Sequence, residues 1–210
     1  MAKKDRERRP TRRLAQEKRF LLVVEGVVTE PEYIEAVKRS RRMRSIAVHI
    51  ETGHTEPIGI VNRAKLMMKM APKTERYDQV WCVFDVEAKR DQRARLGLAE
   101  ALDAGKRSGI QPAVSNPCFE IWLLWHANDQ TGPIDSDTVQ RRCVEVGITD
   151  GKHIRDANDL IATGFQAAKA RALSIEQNHD RNGTTKPEDR NPSSGVYKLI
   201  DAIYAAFPPR

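Results

Sequence analysis

Acidic residues in this chain stand where apolar runs stop: Glu25 after FLLVV, Asp85 after VWCVF, and Glu120 inside SNPCFEIWLLWH. Glu30 follows Glu25 by five residues, and Glu87 follows Asp85 by two, so an extended segment points that second pair the same way. A buried run closed by a carboxylate is what a parallel sheet presents at the carboxyl ends of its strands, the edge where open α/β sheets bind ligands. Four acids in one crevice (Glu25, Glu30, Asp85 and Glu87) repel one another unless positive charge lies among them. One or two hard cations with oxygen ligands, Mg2+ or Mn2+, meet that need without Cys or His. The plainer reading, solvent-facing acids at strand ends and at a helix N-terminus, suits any one of them better than it suits the set.

Other chemistries find less support. None of the five histidines has metal-ligand spacing to another, and no Ser-His-Asp arrangement can be read. Cys82, Cys118 and Cys143 are odd in number, widely spaced and set in apolar sequence, which predicts buried free thiols and excludes a disulfide framework or a zinc ribbon. Trp122, Trp125 and Tyr33 could stack on bases, but aromatics at such spacing in apolar sequence belong more often to a core.

Charge is unevenly placed. Residues 1–19 hold nine Lys or Arg against three acids, a net of +6 within a total of +7 for the 210-residue chain. Residues 1–18 therefore read as a basic flexible arm, and Lys3, Lys4, Arg8, Arg9, Arg12 and Arg13 are candidates to lie along phosphates. Lys38, Arg39, Arg41, Arg42 and Arg44 form a second basic run, where cations also suit a helix C-terminus. Lys89 and Arg90, with Arg93 beyond them, could offset the acidic pocket. A solvated face is the competing reading for each run. No apolar stretch approaches the roughly 18 residues needed to cross a bilayer, and no apolar signal segment follows the first charges, so a cytoplasmic protein is expected.

The elements that must position these residues alternate through the first two thirds. Strands are predicted over 19–26, 46–51, 77–85 and 111–115; helices over 29–43, 58–71 and 91–107, the first opened by Thr29 as N-cap with Glu30, Pro31 and Glu32 behind it. That order predicts right-handed crossovers and an open parallel sheet. From 118 the pattern turns helical, at 118–127, 136–146, 156–174 and 194–207, with SIEQNHDRNGTTKPEDRNPSS at 174–194 reading as a loop. The expected fold is α/β: an open parallel sheet of about four strands flanked by helices over 19–127, with a helical C-terminal extension over 128–210 packed on it.

Glu25 with Gly26, followed by an acid-x-acid motif after a third parallel strand, resembles the topoisomerase-primase (Toprim) catalytic domain. Within that superfamily FLLVVEGVVTEPEYIEAVK, VWCVFDVE, SNPCFEIWLLWH and NPSSGVYKLI are similar to the RloB-like family, found in bacterial restriction and phage-defence loci beside an ATPase. The SNPCFEIWLL block is the specific part of the likeness. The resemblance implies that Glu25 acts as general acid or base or as a metal ligand, that Glu30 is the second acid after the glycine, and that Asp85 and Glu87 form the Asp-x-Asp pair. Glu87 departs from the usual second Asp and reaches one methylene farther. In related two-metal nucleases a further acid lies beyond the fourth strand; Glu120 falls there, with Ser115 and Asn116 nearby. The expected function is Mg2+- or Mn2+-dependent hydrolysis of phosphodiesters in DNA or RNA, with an ATPase as partner. The alternatives are a degenerate Toprim module that binds nucleic acid or regulates the ATPase, and an RNA-maturation nuclease.

Overall fold

The computed structural model of the chain describes residues 18–40, 46–50, 56–86 and 92–208. Strands β1 (Phe20–Val24), β2 (Ile46–Ile50), β3 (Gln79–Asp85) and β4 (Gln111–Asn116) form a parallel sheet in the order β2-β1-β3-β4. The helices α1 (Thr29–Ser40), α2 (Pro57–Met70) and α3 (Gln92–Arg107) make the crossovers. This is the α/β architecture expected from the alternation of elements. Apolar residues fill both sides of β1 and β3, as a sheet covered on both faces requires. Phe20, Leu22, Val24, Trp81 and Val83 face one layer, while Leu21, Val23, Val80, Cys82 and Phe84 face the other, which is closed by Ile60, Val61 and Ala64 of α2 and Leu98, Ala101 and Ala104 of α3.

The first layer is the larger and is built mostly by the C-terminal half. It holds α1, the short helix α4 (Glu120–Leu124), α5 (Ser136–Glu145), α6 (Ala157–Arg181) and α7 (Val196–Ala206). A two-stranded hairpin, β5 (Thr149–Asp150) and β6 (His153–Ile154), separates α5 from α6. Asp135 caps α5 by accepting from Thr138 N, and Asp156 caps α6 by accepting from Asn158 N and Asp159 N. The C-terminal residues also complete the sheet: β7 (Ser193–Ser194) runs antiparallel to Ser115 and Asn116 at the edge of β4.

Three expectations change. The apolar stretch 118–127 gives only one helical turn followed by turns, and Ile121, Trp122, Leu123, Leu124 and Trp125 are all sealed from solvent, so the run is apolar because it is surrounded. Trp122, Trp125 and Tyr33 are accordingly core residues. The predicted loop from 174 is helical as far as Arg181, because Ile175 is buried in the core and Glu176 pairs with Lys198 and Arg190. Tertiary contacts override the polar, turn-prone composition there. Strand β1 ends at Val24, so Glu25 lies just past the strand and not on its last position.

Close approach explains one glycine. A Cβ on Gly164 of α6 would stand 2.7 Å from the His126 Cβ, so only glycine lets α6 lie against the end of α4. His126 is itself buried; its Nδ1 contacts the Trp122 carbonyl at 3.0 Å, which only accepts, so Nε2 accepts from Tyr33 Oη at 3.1 Å. The three cysteines are free and buried. Among the described residues no helix is long and apolar enough to cross a membrane. The basic arm, Lys3, Lys4, Arg8, Arg9, Arg12 and Arg13 included, lies outside the described residues, as do Arg41, Arg42, Arg44, Glu87, Lys89 and Arg90.

Candidate functional site

Strand register sets the site. Val24 pairs with Val83 and Asp85 pairs with Ser115, so β1, β3 and β4 deliver Glu25, Asp85 and Ser115 to one carboxyl edge of the sheet. Alternation then sorts the acids by face. Asp85 continues the face of Trp81 and Val83, toward α1 and α4, where Glu30 opens α1 and Glu120 opens α4. Glu25 follows Val24 and is out of phase with Asp85.

Asp85 carries a sealed carboxylate oxygen with no hydrogen-bond partner: part of the residue reaches solvent, but its Oδ1 is closed off. Burial is the largest influence on this carboxyl and raises its pKa well above the ordinary value. The charges of Glu30, Glu120 and, more weakly, Glu25 add to the rise, against a single backbone donor, Phe119 N–H. After β4 the chain turns at a cis Asn116–Pro117 peptide, and Phe119 and Glu120 at the start of α4 lie close enough to act on Asp85.

Glu30 is almost fully buried, and its pKa too is raised, first by burial and then by the charge of Glu120; its own N–H, the Gly26 N–H and the charge of Lys152 offset part of the rise. Gly26 N donates to Glu30 Oε1 at 3.1 Å. A Cβ on Gly26 would fall 1.9 Å from Glu30 Oε2, so the glycine is there to let the carboxylate fold back over the backbone. Thr29 is the first helical residue and not the N-cap expected of it, since the Val28 carbonyl takes the Glu32 N–H, and its hydroxyl reaches across to donate to the Lys152 carbonyl at 2.8 Å. Glu120, half-buried, accepts from the Cys118 thiol, and burial together with the charges of Glu120 and Asp85 pushes that thiol's pKa up. Cys118 is therefore an inert neighbour of the acids and not a nucleophile.

The structure thus brings Glu30, Asp85 and Glu120 together, with Glu25 at the margin. Sequence spacing ranks Glu25 and Asp85 as the central pair; the fold gives Asp85 its stronger coupling to the two helix-opening glutamates. Ser115 and Asn116 turn to the C-terminal segment instead. Ser115 Oγ lies 3.0 Å from Ser194 Oγ, and Asn116 Nδ2 donates to the Pro187 and Glu188 carbonyls at 3.1 and 3.2 Å. Lys152, which no local motif announces, comes from 122 residues beyond Glu30 because the β5–β6 hairpin docks on α1. In the second basic run, Lys38 pairs with Glu35 at 2.5 Å and Arg39 donates to Asn158.

Among the described residues no three His, Cys, Asp or Glu side chains stand close enough to hold one ion. Oxygen-only donors, mutual repulsion and an unpartnered buried Oδ1 nonetheless fit a hard divalent cation, which would supply the charge those acids lack. The model of the family described as RloB-like protein matches residues 20–203, nearly everything beyond the basic arm. Comparison with curated proteins and with solved structures gives no match.

Proposed function

The chain belongs to the RloB-like family, and we propose that it is a Toprim-type, Mg2+- or Mn2+-dependent phosphodiesterase acting on nucleic acid. The observation that carries this reading is the unpartnered, buried Asp85 Oδ1 among Glu30, Glu120 and Glu25 at the carboxyl edge of a parallel sheet. Acids gathered where burial and like charge both oppose them carry a cost that a bound cation would offset. Such arrangements belong to sites whose charge is balanced by a ligand.

In this reading a bound cation would draw Asp85, Glu30 and Glu120 toward it from positions in which they do not yet form a three-ligand site, and Glu87, outside the described residues, would be a further ligand. When bound, the ion stabilises charge on a phosphoryl oxygen and lowers the pKa of a water. Gly26 N–H and Phe119 N–H orient the carboxylates of Glu30 and Asp85. The apolar wall of Val24, Val83 and Phe119 beneath the acids keeps bulk water off the buried side. Hydrolysis adds water to phosphorus, breaks the bond to the leaving sugar oxygen and delivers a proton to that oxygen. Glu25, half-buried at the margin, would exchange that proton. An ATPase partner would act on this site from outside, and the basic arm would bind nucleic acid.

The test is cleavage of DNA and RNA oligonucleotides with and without Mg2+ or Mn2+, with Glu25→Gln and Asp85→Asn each expected to abolish turnover in folded protein. Glu87→Asp restores the family's usual pair and should match or exceed the wild type. That no three of the described acids form a ready metal-binding group favours one second reading, a module that binds nucleic acid or regulates an ATPase without turnover. Absence of cleavage by wild type and Glu87→Asp, with Mn2+ and the co-expressed ATPase present, would establish that reading instead.

A further inference from the structure

The β5–β6 hairpin is fastened to the first turn of α1 at three points. Thr29 Oγ1 donates to the Lys152 carbonyl at 2.8 Å, Ile154 N donates to Glu32 Oε2 at 2.7 Å, and Glu32 Oε1 meets His153 Nδ1 at 2.6 Å. Strands of two residues do not hold a hairpin by themselves. These long-range bonds therefore set where its tip lies, and the anchors Thr29 and Glu32 straddle Glu30. The tip residue Lys152 is exposed, and its backbone carbonyl is bonded to Thr29, the residue immediately before Glu30, so the tip stands beside that acid at the start of α1. A pinned backbone with a free, positively charged side chain at the mouth of an acidic cluster is an arrangement for meeting an anion that the cluster itself would repel.

We infer that Lys152, presented by the β5–β6 hairpin, is a substrate-binding residue that contacts the phosphodiester backbone next to the bond on which the carboxylates act. The inference names a binding contact for the phosphodiesterase site and rests on that reading for turnover, though not for binding. A lysine grips phosphate as a compact charge on a flexible stem and needs no fixed fork geometry, so arginine can stand in for it here. His153, tied to Glu32, holds the hairpin and is not the contact.

The experiment compares the full-length wild type with Lys152→Ala and Lys152→Arg. Binding of fluorescein-labelled DNA and RNA oligonucleotides of one sequence is followed by anisotropy over a salt series, with Ca2+ as the oxygen-seeking ion. Lys152→Ala should weaken binding roughly tenfold or more, the usual loss for a hydrogen bond to a charged group. It should also reduce the slope of log K against log salt by about 0.7 to 0.9, the share of one phosphate. Lys152→Arg should restore both, and the better-bound oligonucleotide identifies the nucleic acid. Melting temperatures of all three should agree, and in Mn2+ the alanine variant should raise KM by the factor seen in binding while keeping kcat. Unchanged affinity and salt slope in Lys152→Ala overturn the inference, as does failure of Lys152→Arg to rescue, or a changed Mn2+ affinity with unchanged oligonucleotide binding, which would make Lys152 a counter-ion for Glu30. The two readings separate cleanly. Wild-type cleavage with an unaltered KM in Lys152→Ala removes the phosphate-binding role and leaves the enzyme, whereas Lys152-dependent binding without any cleavage removes the enzyme and leaves that role.

Discussion

Replacing Asp85 by Asn should make the metal-free protein more stable at alkaline pH while destroying its site. The introduced amide oxygen can keep the bond from Phe119 N–H, and the amide NH2 then occupies the position of the orphaned Oδ1, where it can donate toward Glu30 and Glu120. The substitution removes one charge from a repelling cluster and one unsatisfied buried polar atom, a gain of about 1–3 kcal/mol. In a domain of this size each kcal/mol moves the melting temperature by roughly 2–4 °C, so a rise of roughly 2–12 °C is expected at pH 8. The sign depends on pH. The folded-state pKa of Asp85 is raised above its unfolded value near 3.8, so its contribution to stability is full below that value and is lost as pH rises toward the folded pKa. Wild type and variant should therefore melt alike near pH 3.5 and diverge as pH increases. Saturating Mg2+ or Mn2+ should reverse the order, because an ion present at about 100 times its dissociation constant adds about 2.7 kcal/mol to the protein that binds it. Differential scanning fluorimetry across pH, with EDTA or Mn2+, reads all of this. A variant that is no more stable than wild type at pH 8, or a gap that does not change with pH, would refute the claim that this carboxylate is held against its own electrostatic preference.

Three further outcomes are expected. Gly26→Ala should fold but drive the Glu30 carboxylate from its seat, since the new Cβ would overlap it, and the affinity for Mn2+ by calorimetry should fall by roughly tenfold, about 1.4 kcal/mol; unchanged affinity would show that Glu30 is not a ligand. Burial lowers the His126 pKa to about 4, below its unfolded value near 6.5, so stability present above pH 6.5 is lost as pH falls toward 4, up to about 3 kcal/mol; urea unfolding of His126→Gln should lack that part of the acid limb. Deleting residues 1–18 should lower nucleic-acid affinity and flatten its salt dependence, by about 0.7 to 0.9 in slope for each phosphate the arm had neutralised; an unchanged slope assigns the arm to solubility or partner docking.

The parallel core can be read directly because its strands are apolar on both faces and its helices are spaced between them, features that a local pattern records. That Glu25 and Asp85 reach one edge of the sheet follows from the strand ends alone. The ranking of the acids does not, because it depends on which face of the sheet α1 and α4 cover, and Glu25 falls one residue out of phase. Lys152 is hidden for a similar reason. Its place is fixed by the Thr29 hydroxyl and the Glu32 carboxylate across more than 120 residues of chain, and a two-residue strand pair carries no periodicity to detect. The end of α6, from Ser174 to Arg181, resembles a loop in sequence because its helix is stabilised by partners, Tyr197, Lys198 and Arg190 around Glu176, that composition does not reveal.

The antiparallel seam at β4 bears on the timing of synthesis. All four acids have left the ribosome once residue 120 is out, but the Ser115–Ser194 contact and the Asn116 bonds to Pro187 and Glu188 wait for more than 65 further residues. At about 5–20 residues per second that is an interval of seconds. During it, β4 has an open edge and the turn that carries Phe119 and Glu120 is untethered, and Lys152 has yet to arrive for part of it. A nascent chain therefore holds every acid of the centre before it holds the centre's shape. The last strand of the sheet is therefore also the last support of the acidic edge to be made, and the site's geometry is complete only when the C-terminal segment has been added.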